Sequence, residues 1–297
     1  LLSMSFWQAK INGDKMPSVQ NYAWRRAARI LPAYYFCLFS IIFAKSIAGS
    51  GTSWNNILSH LVFVYNVSDW NILSLNQPFW TLAVEAQFYL LLPLLFLALS
   101  GLRVRATFWL ITCLVPLLYF ANYSLISSLQ DYDSWPVNQL LIWPFALYMR
   151  GPDSWVLTYS TLGHLPHFLF GVLGARLFLL LANGHLPSPF KRATCEILVW
   201  GASAAVFLIL ATPLDDIFQL AYGRYNFPFV PILLTIAVVC IPFTLFARRL
   251  LDSSLLVWLG TISYGIYIYH YPVQKVVARS LQFVGMPAPD HPLVFGV

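Results

Sequence analysis

Three groups of residues in this chain have types and spacings that could do chemistry. The first is Arg25, Arg26 and Arg29, within YAWRRAARILPAYYF at 22–36. Guanidinium forks hold phosphate in bidentate fashion, and Arg26 and Arg29, three apart, share a face if 18–30 forms a surface helix. The second is Glu85, within NQPFWTLAVEAQFYLLLPLL at 76–95. A charge inside a membrane span costs about 2.5–3.5 kcal/mol on insertion scales, so such residues are rare and usually have a purpose. Phe88 and Tyr89 follow at i+3 and i+4 on the same face, and Trp80 stands at the entry of the run. Two readings of Glu85 stay open: a functional group, or a structural partner for an Arg or Tyr inside a bundle.

The third group lies in WLGTISYGIYIYHYPV at 258–273. Gly260, Ser263, Tyr267 and His270 recur at i, i+3, i+7 and i+10, a polar stripe down one side of a helix that Pro272 then bends. His270 is of a type to shuttle a proton or meet an acceptor, and the plainer reading is hydrogen-bonded helix packing. A further stretch, LPHFLFGVLGARL at 165–177, offers Gly171 and Gly174 for close packing, with His167 at the mouth of its helix. Cys37, Cys113, Cys195 and Cys240 have no paired spacing and read as small buried hydrophobes, with neither disulfide nor metal.

The elements that must position these groups are membrane helices. Of 297 residues 59% are hydrophobic and 9% charged, against about 25% charged in soluble domains. Long apolar runs near 30–48, 78–100, 106–124, 164–183, 194–212, 229–247 and 255–277 each approach the ~20 residues needed to span, and 1–7 reads as a partial span. The stretch at 138–149 is short for a crossing. The net charge of +6 therefore marks loop placement rather than nucleic-acid binding. If 8–29 is cytoplasmic, the loops on that side hold eleven Lys and Arg: Lys10, Lys15, Arg25, Arg26, Arg29, Arg103, Arg105, Lys191, Arg192, Arg248 and Arg249. The opposite loops hold Arg150 and Arg224. The fold expected is all-α, a polytopic transmembrane helix bundle with about seven to nine spans. The chain reads as one domain over 1–297, a fragment that starts inside a helix. A transporter is the rival class, since intramembrane Glu, Pro and His residues also occur there, but no internal repeat supports it.

Taken in order, RRAARILPAYY, FWTLAVEAQFYLLLPLL, LPHFLFGVLGARL and LGTISYGIYIYHYPV resemble the membrane acyltransferase family 3, integral-membrane O-acyltransferases. The resemblance runs from about residue 1 to 280. The family's paired arginines followed by Ile and Pro fall on Arg26, Arg29, Ile30 and Pro32. Its Trp-x-Leu-x-x-Glu-x-x-Phe-Tyr pattern falls on Trp80, Leu82, Glu85, Phe88 and Tyr89. Its terminal pattern falls on Ser263, Tyr264, His270 and Pro272. The resemblance implies acyl transfer, most often of acetyl, from cytoplasmic acyl-CoA as co-substrate to a hydroxyl of a surface glycan, or of a small molecule, with no bound cofactor. It implies donor binding by Arg26 and Arg29 and a catalytic role for Glu85. Trp80, Tyr89, Ser263, Tyr264, Tyr267 and His270 are left as an acceptor site or a structural polar stripe. The family's proposed catalytic histidine sits on a first helix that nothing in this chain matches, and this motif is expected to lie outside the fragment.

Overall fold

The structure, a computed structural model, describes residues 2–67, 71–130, 159–184, 188–212 and 229–283. These are helical throughout: α1 (Met4–Asn12), α2 (Val19–Ile47), α3 (Trp54–Leu61), α4 (Phe79–Ala98), α5 (Val104–Gln130), α6 (Thr161–Asn183), α7 (Ser188–Ala211), α8 (Phe229–Cys240), α9 (Phe246–Leu251) and α10 (Ser254–Phe283). Short 3-10 turns lie at Tyr65–Val67 and Ile241–Phe243, and no strand occurs among the described residues. The stretch 138–149 lies outside them.

Serine hydroxyls start several helices by accepting a backbone N–H that has no partner in the first turn. Ser18 accepts from Asn21 N at 3.4 Å, Ser53 from Asn56 N at 3.3 Å and Ser160 from Gly163 N at 3.2 Å. Gly13 ends α1 at φ +74°, a left-handed position that glycine takes without a steric penalty. Lys10 Nζ then donates to the Leu99 carbonyl at 2.7 Å, tying α1 to the exit of α4. At the same end Lys191 Nζ donates to Leu181 O at 2.7 Å, and Glu196 accepts Leu245 N at 2.6 Å and Phe246 N at 2.7 Å.

Among the described residues, five helices are long and apolar enough to cross a membrane: α2, α4, α5 over 104–122, α6, and α7 over 191–211. The protein is a multi-pass helical membrane bundle, with fewer such helices among the described residues than the seven to nine expected. The expected span at 229–247 is broken, because Pro242 lies in a 3-10 turn between α8 and α9. The terminal helix α10 has 30 residues, but its tyrosines and His270 lower its hydropathy. The partial span expected at 1–7 is the separate nine-residue α1. The surface helix expected over 18–30 is instead the first part of one continuous 29-residue α2, which runs on through Pro32. Ile30, Tyr34, Cys37 and Leu38, on both sides of the proline, are buried, and their packing holds the helix across it.

Two cores share α4. Its Phe88, Leu92 and Phe96 pack with Phe6, Trp7, Ile111 and Leu169 of α1, α5 and α6. Its Phe79, Leu82 and Ala83 pack with Tyr34, Leu38, Tyr65 and Ile268 of α2, the Tyr65 turn and α10. Tyr89 touches both cores. A smaller core joins α7 to the α8–α9 region through Cys195, Val199, Cys240 and Ala247. Cys37, Cys195 and Cys240 are buried as expected. Cys113 is not: it lies on the outward face of α5, where a bilayer rather than protein covers apolar side chains.

Candidate active site

Helix α4 presents two polar faces. Thr81, Glu85 and Tyr89, at i, i+4 and i+8, look toward α2 and α10, whereas Trp80 and Gln87, seven apart, look toward α6. On the first face the Tyr89 hydroxyl donates to Glu85 Oε1. The Tyr89 ring lies 6.0 Å from the Arg26 guanidinium, and the Tyr22 ring lies 5.9 Å from it on α2 itself. Such ring contacts suit a cation but leave its hydrogen-bonding edge unused. Arg26 is partly buried and forms no ion pair with a described residue, and its Nε is shut off from solvent without a hydrogen-bond partner there. Tyr89 meets both groups: its ring faces Arg26 and its hydroxyl donates to one oxygen of Glu85.

The two flanking arginines differ from Arg26. Arg25 and Arg29 are exposed. Arg29 and Glu85 both lie within electrostatic reach of Tyr264, whose hydroxyl donates to Ile30 O at 3.1 Å. Tyr267 reaches α4 by bonding Thr81 Oγ1 and donating to Pro78 O at 3.2 Å. Arg26, Arg29, Glu85, Tyr89, Tyr264 and Tyr267 therefore form one cluster where α2, α4 and α10 meet.

Ser263 and His270, from the same motif, do not join them. Both are exposed. Ser263 Oγ donates to the Gly260 carbonyl at 2.8 Å, and His270 Nδ1 lies 2.7 Å from Tyr267 O. Trp80 is drawn to the other face, where its ring meets Tyr159 at 4.8 Å and His164 at 5.2 Å. His167 is partly buried on α6, with Nε2 3.3 Å from the Tyr119 hydroxyl. Gly174 serves packing: an added methyl would stand 2.9 Å from Thr235 Cγ2 of α8.

Sequence reasoning passed over Gln87, whose amide is fully used. Nε2 donates to Phe63 O and Asn66 Oδ1, both at 2.8 Å, and Oε1 accepts from Asn66 Nδ2 at 3.4 Å and from Thr161. This knot holds Phe63 at φ +58°, a left-handed backbone that costs a non-glycine residue about 1–2 kcal/mol. It also passed over Tyr22, one turn before Arg26, and His60. The His60 ring is fully buried, stacked on Tyr65 at 4.0 Å with Nδ1 2.8 Å from Asn56 O. Burial pulls its pKa down to about 4, Lys45 adds to that pull, and the Asn56 carbonyl opposes it.

The acyltransferase domain model matches residues 5–297, and the chain belongs to this family, the membrane acyltransferase family 3. Among curated relatives, it is similar to "Putative peptidoglycan O-acetyltransferase YrhL" of Bacillus subtilis, 28% identical over 89% of this chain and 40% of that one. It is also similar to "Peptidoglycan O-acetyltransferase OatA" of Listeria monocytogenes, 26% identical over 87% of this chain and 40% of the relative. "Acyltransferase MdmB" of Streptomyces mycarofaciens is 25% identical over 93% of this chain and 66% of its own length. The chain thus spans well under half the length of the first two relatives. No solved structure matches it.

Proposed function

We propose that the protein transfers an acyl group, acetyl in keeping with the relatives' names, from acyl-CoA at the basic, cytoplasmic end of the bundle to a hydroxyl of a peptidoglycan-type glycan. One observation carries the donor side of this reading: the partly buried Arg26 guanidinium lies 5.9 Å from the Tyr22 ring and 6.0 Å from the Tyr89 ring, and its Nε has no hydrogen-bond partner among the described residues. Such a cation favours an anionic ligand, and CoA carries a diphosphate and a further phosphate. Arg29, one turn on and exposed, adds a second fork on the same side.

In the reaction the acceptor oxygen bonds to the thioester carbonyl carbon, the carbon–sulfur bond breaks, the hydroxyl proton passes to a base and CoA leaves as the thiol. Glu85, oriented by Tyr89, is the carboxylate that positions and charge-balances that base. Tyr264 and Tyr267 line the same space from α10. The test is acyl-CoA binding to full-length Arg26→Lys and Arg29→Lys proteins of confirmed topology, with Arg25→Lys as the control. Lysine keeps the orienting charge and loses the planar fork, so affinity is expected to fall by about 1–3 kcal/mol in the first two and to stay unchanged in the third. Wild-type affinity in both would leave these arginines as topology anchors only.

A further inference from the structure

Tyr22, Arg26 and Arg29 follow one another at i, i+4 and i+7, a single stripe along α2. Tyr22 is 9% exposed, with its ring edge-on to Phe6 of α1 at 5.5 Å. Packing accounts for the ring but not for the hydroxyl. Tyr22 Oη is shut off from solvent and has no hydrogen-bond partner among the described residues, as is true of Arg26 Nε, whose guanidinium carbon lies 5.9 Å from the centre of the Tyr22 ring. The two are also alike in chemistry. Guanidinium Nε–H only donates, and a phenol O–H donates readily to an anion. Glu85, the carboxylate near them, is bonded by Tyr89.

We propose that Tyr22 Oη and Arg26 Nε act as a paired donor site for one phosphoryl group of a diphosphate, with Arg29 facing the second group. Resting on the reading of Arg26 and Arg29 as the donor site, this adds a neutral donor to it and names the ligand chemistry. Arg26 and Arg29 are offset along the helix axis by about 4.5 Å, which suits two linked phosphoryl groups better than one carboxylate. Tyr22 supplies a hydrogen bond without a further charge, so part of the site's affinity is insensitive to salt.

The experiment uses the full-length protein in phosphatidylcholine nanodiscs and measures binding of CoA, inorganic pyrophosphate and geranyl diphosphate by calorimetry. Tyr22→Phe keeps the ring against Phe6 and removes only the hydroxyl, so the fold is retained. It is expected to weaken CoA and pyrophosphate on the order of tenfold. In an Arg26→Lys background the same change should cost much less, because the two donors share one group. Unchanged pyrophosphate and CoA binding in Tyr22→Phe would overturn the pair and leave the acyl-CoA reading standing. Tyr22-dependent binding of pyrophosphate and geranyl diphosphate without CoA binding would uphold the pair, overturn acyl-CoA as donor, and assign the anion to an isoprenoid diphosphate.

Discussion

The two faces of α4 differ in how completely their polar groups are used. Toward α6, Gln87 spends its amide on Phe63, Asn66 and Thr161, and Asn66 goes on to donate to Tyr159 O at 3.3 Å. Toward α2, Glu85 holds Tyr89, while Arg26 Nε and Tyr22 Oη are buried without partners among the described residues. A buried donor left unpaired costs about 1–3 kcal/mol, whereas a closed network returns its desolvation cost. The closed face reads as a joint, and the open face is the proposed site. The closed face fixes the 63–66 segment against α4 and α6, and the open face keeps hydrogen-bonding capacity for something else.

The largest expected effect tests the closed face. Gln87→Leu strands Asn66, Thr161 and the Phe63 carbonyl, and should lower stability by about 3–5 kcal/mol in thermal unfolding. Donor affinity of the folded fraction should not change. A loss of affinity at full stability would reverse the assignment of the two faces.

Glu85→Gln on the open face should behave in the opposite way. Turnover is expected to drop by about 100-fold or more while the unfolding temperature holds. Normal turnover would remove Glu85 from the site, and failure to fold would move it to the structural side.

His60, on α3 and stacked on Tyr65, adds a pH dependence. The folded state keeps this imidazole neutral down to about 4, while the unfolded chain protonates near 6.5. Its contribution is therefore complete above about pH 6.5 and declines as pH falls toward 4. Between pH 7.5 and pH 5 the wild type should lose about 2 kcal/mol more than His60→Gln, read from unfolding at both pH values. Equal losses would show that His60 titrates no differently in the two states.

The smallest effect is a gain. Tyr22→Phe removes an unpaired buried hydroxyl and should stabilise the ligand-free protein by about 1 kcal/mol, even as it weakens diphosphate binding. Destabilisation would indicate that the hydroxyl has a partner in the folded state.

The helical, multi-pass character was legible because apolar runs of span length and the sidedness of Lys and Arg are local properties of the chain. So was the arginine spacing, since periodicity along one helix needs no knowledge of its neighbours. What could not be read was which face of a helix meets what. Trp80 and Tyr89 seemed to share a purpose with Glu85, yet Trp80 turns to α6. Gln87 seemed ordinary because its partners come from residues 63, 66 and 161, brought together only by the fold. In α10 Tyr264 of the motif meets α2, with Ile268 beside it, whereas Ser263 and His270 of the same motif face outward, and helical spacing alone does not choose between adjacent faces. A surface helix over 18–30 is a local reading, but burial of Ile30, Tyr34, Cys37 and Leu38 on both sides of Pro32 accompanies one unbroken α2.

The seam between α2 and α10 carries a consequence for how the molecule is made. Cys37 Sγ meets Ile268 O across 231 residues of sequence, and Tyr264 meets Ile30 O across 234. At about 5–20 residues per second, the ribosome needs roughly 10–50 s to deliver the second half of that seam after the first. For that interval the α2 surface around Ile30 and Cys37 waits in the membrane without its final neighbour. Lipid, the insertion machinery or another nascent helix must keep it company until α10 arrives. A chain that stalls late in synthesis would then carry the five apolar crossing helices of the described residues and still lack the α10 tyrosines that meet α2 and α4.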